Sequence, residues 1–119
     1  MSATLFERLG GENGIKAIAN DLVELHVKNP IIGPRFAGSD KAAVKQTVAE
    51  FFITGSGGPE VYKGEDMVTA HKHMNINGDE FVAALDDAMV ALDKNGIGEP
   101  EKQETLAILF SMRGEVMHQ

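Results

Sequence analysis

Tyr62-Lys63-Gly64-Glu65-Asp66-Met67-Val68-Thr69-Ala70-His71 is the most informative segment of this 119-residue chain. Gly64 interrupts what precedes it, and Glu65 and Asp66 suit a first helical turn, where carboxylates meet the positive end of the peptide dipoles. A short helix is therefore predicted from Glu65 to about Met74. Met67, His71 and Met74 follow one another at spacings of four and three, so they share a side and the His71 ring projects into apolar space. His73 is rotated from His71 by roughly 200° on a 3.6-residue turn, which makes a His-x-His chelate poor geometry. On its own, His71 reads equally as a core histidine bonded to a backbone carbonyl and as a metal ligand.

Composition narrows what such a ligand could hold. The chain has 119 residues, 43% hydrophobic and 24% charged, the proportions of one folded domain spanning residues 1–119. Cysteine is absent, which excludes disulfides, thiolate metal sites and Cys nucleophiles. His26, His71, His73 and His118 are then the only nitrogen ligands for a transition metal. A formal charge of −7, unbroken by any Lys/Arg run, disfavours nucleic acid and anionic lipid as partners. No apolar stretch nears the roughly 20 residues of a membrane span, and Met1-Ser2-Ala3-Thr4 carries no signal-peptide pattern, so a cytoplasmic protein is expected.

Outward from the central stretch the chain reads as helices. Ile15, Ile18, Ala19, Leu22 and Leu25 recur at helical spacing within Glu12–Lys28, which stops at Asn29-Pro30. Pro30 to Gly38 reads as a turn or short helix anchored by Phe36. Ser39 and Asp40 are capping residues for a helix with a Val44, Val48, Phe51, Phe52 stripe, ended by Gly55-Ser56-Gly57-Gly58-Pro59. Asn77-Gly78-Asp79 opens another, with Phe81, Leu85, Ala88, Met89 and Leu92 on its stripe and Asn95-Gly96 at its end. A last helix is predicted from Glu99 or Pro100 to Met117, with Leu106, Leu109, Phe110 and Val116 inward. No period-two alternation argues for strands, so the fold class is all-α.

Leu5-Phe6-Glu7-Arg8-Leu9-Gly10-Gly11, the Phe36 anchor, Gly57-Gly58 and the Tyr62–His71 run occur in an order and spacing that resembles the group I truncated haemoglobins over nearly the whole chain. The resemblance implies a truncated globin, a two-over-two helical sandwich around haem b, with His71 as the proximal iron ligand. It implies that the glycine pairs end the first helix and free the loop before the proximal helix, by reaching positive φ. Phe36 matches the aromatic that packs on the haem. Val44, Val48, Phe51, Met67, Met74, Ile76, Phe81 and Leu85 are the other expected pocket residues, each equally readable as core. Lys45, Thr47, Tyr62 and Lys63 are the candidates for the propionates. The function implied is reversible binding of O2, CO and NO. NO detoxification or weak peroxidase activity are the enzymatic uses left open, the former needing an external reductase because no nucleotide-binding glycine motif follows a strand here.

The chain departs from that pattern on the distal side. Many group I members place a tyrosine and glutamines there to donate hydrogen bonds to O2; the matching positions here are Val23, Val44 and Val48. Loss of such a donor costs about 1.5–3 kcal/mol, roughly ten- to hundredfold in O2 affinity. His26, Gln46 and Thr47 are the polar residues nearby, although the helix phase that turns Val44 and Val48 inward turns Lys45 and Gln46 away. Two rival readings need no haem. Asp93 to Glu104 has the Asp, Asn, Gly and Glu of an EF-hand calcium loop at positions one, three, six and twelve, but Ile97 and Pro100 at positions five and eight oppose it. A cofactor-free helical interaction module would use Met67, Met74, Met112 and Met117 as an adaptable surface.

Overall fold

In the computed structural model the described residues are 4–36, 38–62 and 76–117. Thr4 opens α1 (Leu5–Arg8) with a capping box: its hydroxyl accepts from Glu7 N, and the Glu7 carboxylate accepts from Thr4 N. Gly10, with φ 100°, turns the chain directly into α2 (Gly11–Lys28). An added Cβ there would be both strained and 3.1 Å from Gly14 Cα. A 3₁₀ turn (Gly33–Phe36) leads to α3 (Lys41–Gly55), whose free amides at Ala42 and Ala43 are met by Asp40 Oδ1. The helix α4 (Gly78–Lys94) has a second capping box, Asn77 with Glu80. The helices α5 (Glu99–Ser111) and α6 (Arg113–Val116) complete the chain.

The architecture is all-helical. One face of α2 lies on α3 and another on α4, α5 lies beside α4, and α1 bridges α2 and α5. Among the described residues the only β-type pairing is an isolated bridge between Ile76 and Met117. The core sits at one end of this stack, where Leu5, Leu9, Ile15, Ile18, Leu22, Ile53, Ala88, Ala91 and Leu92 form one cluster. Ile15 is fully buried, and side chains of that size contribute about 1.5–3 kcal/mol each by leaving water. Arg8 clamps α1 to α5 through Glu104, with Nη1 to Oε2 at 2.8 Å and Nη2 to Oε1 at 3.1 Å.

Two expectations need correction. The last helix is not continuous: it ends at Ser111, Met112 caps it, and a separate turn follows. Its inward face also differs, since Lys102 and Thr105 are its buried residues while Phe110 is 50% exposed. Polar and apolar residues are spread around α5 without a stripe, so periodicity had nothing to register. Phe110 instead meets Phe81 edge-on and carries the Arg113 guanidinium over its ring. The glycines also divide by cause. Gly10, Gly11 and Gly57 have positive φ, as expected, but Gly58 is required by packing: a Cβ there would lie 2.5 Å from Phe6 Cδ1.

Candidate functional site

Beside the core, the apolar side chains of α2, α3 and α4 leave a hollow between them, and Leu22 and Ala88 of the core form part of its wall. One lobe of the resulting hollow, about 320 Å³, is walled by Leu22 and His26 of α2, Thr47, Val48, Phe51 and Phe52 of α3, and Phe81, Ala84, Leu85 and Ala88 of α4. Tyr62, Leu109, Met112 and Val116 close it. The second lobe, about 420 Å³, runs toward Ile32, Arg35, Phe36, Ser39, Val44, Ile76 and Glu80. His26, Val48, Phe81, Ala84 and Val116 line both, so the lobes are neighbours that share a wall, and each is in the size range of cofactor sites, about 300–1,000 Å³. A further groove of about 300 Å³ lies elsewhere, beside Glu12, Lys16, Glu50 and Glu60, and its charged walls suit solvent better than an apolar guest.

Helix phase explains the lining. Val44, Val48 and Phe51 recur at four and three on α3, and Phe81, Ala84, Leu85 and Ala88 do so on α4, so each helix turns one stripe to the hollow. Thr54 Oγ1 accepts from the backbone amides of Val61 and Tyr62, both at 3.0 Å, which holds the Tyr62 ring edge-on to Phe51. Of the residues singled out from sequence, the hollow brings together Phe36, Val44, Thr47, Val48, Phe51, Tyr62, Ile76, Phe81 and Leu85. Val23 is fully buried and lines neither lobe. Lys45 lines neither lobe either, and donates to Glu24 Oε1 of α2 at 2.7 Å. His71, with Lys63, Met67 and Met74, lies outside the described residues. Sequence reasoning missed Leu22, Ala84 and Met112 as wall residues. Ala84 could have been found from the phase of Phe81 and Ala88.

Besides the hydroxyls of Ser39, Thr47 and Tyr62, the described residues bring two polar clusters to the wall of the hollow. Arg35 forms a two-pronged ion pair with Glu80, Nη2 to Oε1 at 2.9 Å and Nε to Oε2, and this holds the Glu80 carboxyl below its ordinary pKa. Deeper in, His26 Nδ1 lies 2.8 Å from Asp87 Oδ2, and Asn29 Nδ2 donates to the same oxygen at 3.1 Å. The Phe36 ring stacks on His26 at 5.9 Å. Burial pushes the His26 pKa down, partly offset by the Asp87 hydrogen bond and charge. The EF-hand-like carboxylates behave otherwise: Asp93 and Glu99 both bond Lys102 Nζ at 2.6 Å, and the Asn95 side chain donates to Asp21 and to the Ala91 carbonyl. Among the described residues no group of three His, Cys, Asp or Glu side chains is placed to hold a metal ion.

A family model described as bacterial-like globin matches residues 4–118. A group 1 truncated haemoglobin of Tetrahymena thermophila is 30% identical over 123 aligned positions, covering 96% of this chain and 94% of that protein. That of Tetrahymena pyriformis is 29% identical over 118, with the same coverage. The crystal structure of the T. pyriformis truncated haemoglobin in the Fe(III) form superimposes with a TM-score of 0.94 at 26% identity, covering 98% of this chain and all of that one. With a two-over-two helix stack and an apolar hollow between its layers, this chain belongs to the bacterial-like globin family, among the group 1 truncated haemoglobins.

Proposed function

We propose that the hollow holds haem b, that His71 is its proximal iron ligand, and that the protein reversibly binds O2, CO and NO. The observation that carries this reading is the two-lobed hollow itself. Its walls from Val44, Val48, Phe51, Phe81 and Leu85 are apolar, as the faces of a porphyrin require, while Arg35, Ser39, Thr47 and Tyr62 are polar groups that suit carboxylate edges. Bound haem supplies an iron that coordinates small diatomic ligands. The chain's own residues set the conditions. Phe36 gives an aromatic wall, the aliphatic side chains exclude water, and Val44 and Val48 offer O2 no hydrogen-bond donor. O2 is then held weakly relative to CO. Catalytic NO detoxification consumes electrons, and the reading assigns their supply to a separate reductase.

The test is haem titration of the purified protein. The reading expects one haem per chain, a Soret band, and a shift of that band with CO after reduction. A folded protein that takes up no haem, or takes it up without a CO response, overturns it.

A further inference from the structure

Among the described residues the one titratable side chain that lines both lobes is His26, which the sequence offered only as a polar neighbour of the distal side. Its ring is held at Nδ1 and on one face, and the carboxylate that holds it is itself anchored. Asp87 Oδ2 fixes Nδ1 at 2.8 Å, Asn29 fixes the same carboxylate oxygen at 3.1 Å, and Phe36 stacks on the face with planes 24° apart. Both His26 and Asp87 side chains are only 14% exposed. A carboxylate can only accept, so the neutral ring carries its proton on Nδ1 and keeps a lone pair on Nε2. That nitrogen has no partner among the described residues. The geometry is that of an oriented base in the wall of a cavity, with a carboxylate behind it to stabilise the cation that forms on protonation.

We propose that His26, backed by Asp87, is the proton acceptor of the ligand cavity, so that the ferric protein takes up weak acids HX, of the hydrogen cyanide type, as X⁻. The inference rests on the haem reading. In the step, the H–X bond would break with its electron pair left on X⁻ and the proton would go to His26 Nε2; a bound ferric haem would supply the positive centre that holds the anion, and nothing is oxidised or reduced.

The groups around His26 support this assignment. From α4, Asp87 faces it directly and Glu80 lines the same lobe, but Glu80 is engaged by Arg35 of the 3₁₀ turn. From α3, the Thr47 hydroxyl donates to the Ala43 carbonyl and Lys45 is paired with Glu24. Tyr62 lines the other lobe. No described cation is therefore placed to substitute as the proton-handling group. Burial favours the uncharged ring, which keeps the base form populated near neutral pH.

The experiment is stopped-flow cyanide binding to the haem-loaded ferric protein between about pH 5 and pH 8, with CO binding to the reduced protein as the control, because CO has no proton to give. In the natural protein the cyanide rate falls toward acid as Nε2 becomes protonated. His26→Leu and His26→Gln each lower the cyanide rate near neutral pH by about tenfold or more and flatten its profile, while CO association, which transfers no proton, changes by a much smaller factor and shows no pH slope in either variant. Nitrogen NMR of the CO-bound protein shows His26 protonated at Nδ1 only, and Asp87→Asn converts this to a tautomer mixture. Should His26→Leu lose its fold, His26→Gln decides. A variant with an intact CO spectrum but the natural cyanide rate and profile overturns the proposal and leaves the haem reading standing. Absence of a Soret band in the natural protein overturns both.

Discussion

Val48 lies at the junction of the two lobes, half-buried on α3 one turn beyond Val44. Replacing it with glutamine places an amide donor where the hollow now has only methyl groups. O2 at a haem carries partial negative charge, so a hydrogen bond to it is of the charge-assisted kind, worth about 1.5–3 kcal/mol. At about 1.4 kcal/mol per factor of ten, Val48→Gln should slow O2 dissociation by roughly ten- to hundredfold. CO carries little such charge, and its dissociation should change far less. The substitution itself is affordable: an amide at a half-buried position costs about 1–2 kcal/mol of fold stability, against the usual 5–15 kcal/mol. The assay is displacement of O2 by CO in a stopped-flow instrument, with the CO-bound spectrum checking that the haem site is intact. The natural protein should release O2 quickly. If Val48→Gln binds haem and CO normally yet releases O2 at the natural rate, Val48 does not face the ligand, and the account of the valines is wrong.

Other outcomes follow from particular contacts. Ile15→Ala removes a fully buried side chain from the core cluster and should cost about 2–5 kcal/mol in urea unfolding while leaving ligand binding in the folded fraction unchanged. Gly58→Ala drives a methyl into the Phe6 ring, with a loss of about 1–3 kcal/mol, and Phe6→Ala in the same chain should recover part of it, measured as Tm. His26 titrates below its ordinary 6.5 in the fold, so the unfolded chain binds the extra proton first; stability present above that pH is lost as pH falls through the folded value, and thermal unfolding of His26→Leu should lack this slope. Glu80 is likewise held below its ordinary 4.5 by Arg35, so its contribution is present above that pH and disappears as acid protonates it, and Glu80→Gln should flatten the acid limb of the Tm profile.

The helices were legible wherever local chemistry sets them. Asn77 with Glu80, Asp40 ahead of Lys41, and Asn29-Pro30 are start and stop signals complete within a few residues, and the structure places helix ends at each. The α5 break was not legible, because neither Ser111 nor Met112 is a glycine or proline and α5 carries no apolar stripe whose end could be seen. Lys102 reads as a surface charge, yet it is buried because Asp93 and Glu99 fold over its amine from the preceding turn. The site divides in the same way. Phase on a single helix brought Val44, Val48 and Phe51 to one wall, whereas the pairing of His26 with Asp87 joins residues 61 positions apart through the packing of α2 on α4. No one-helix pattern contains that information. Ordered motifs around His71 carried the family, whereas the apolar hollow depends on how α2, α3 and α4 pack and is visible only in the fold.

The central claim, a haem held through His71, is tested most directly by His71→Gly reconstituted with haem and then supplied with free imidazole. The natural protein should show a Soret band that shifts with CO, His71→Gly should lose the natural ferrous spectrum, and imidazole should restore it by replacing the missing ring. A His71→Gly protein whose ferrous and CO-bound spectra match the natural ones without imidazole would contradict it, and would move the iron ligand to another residue.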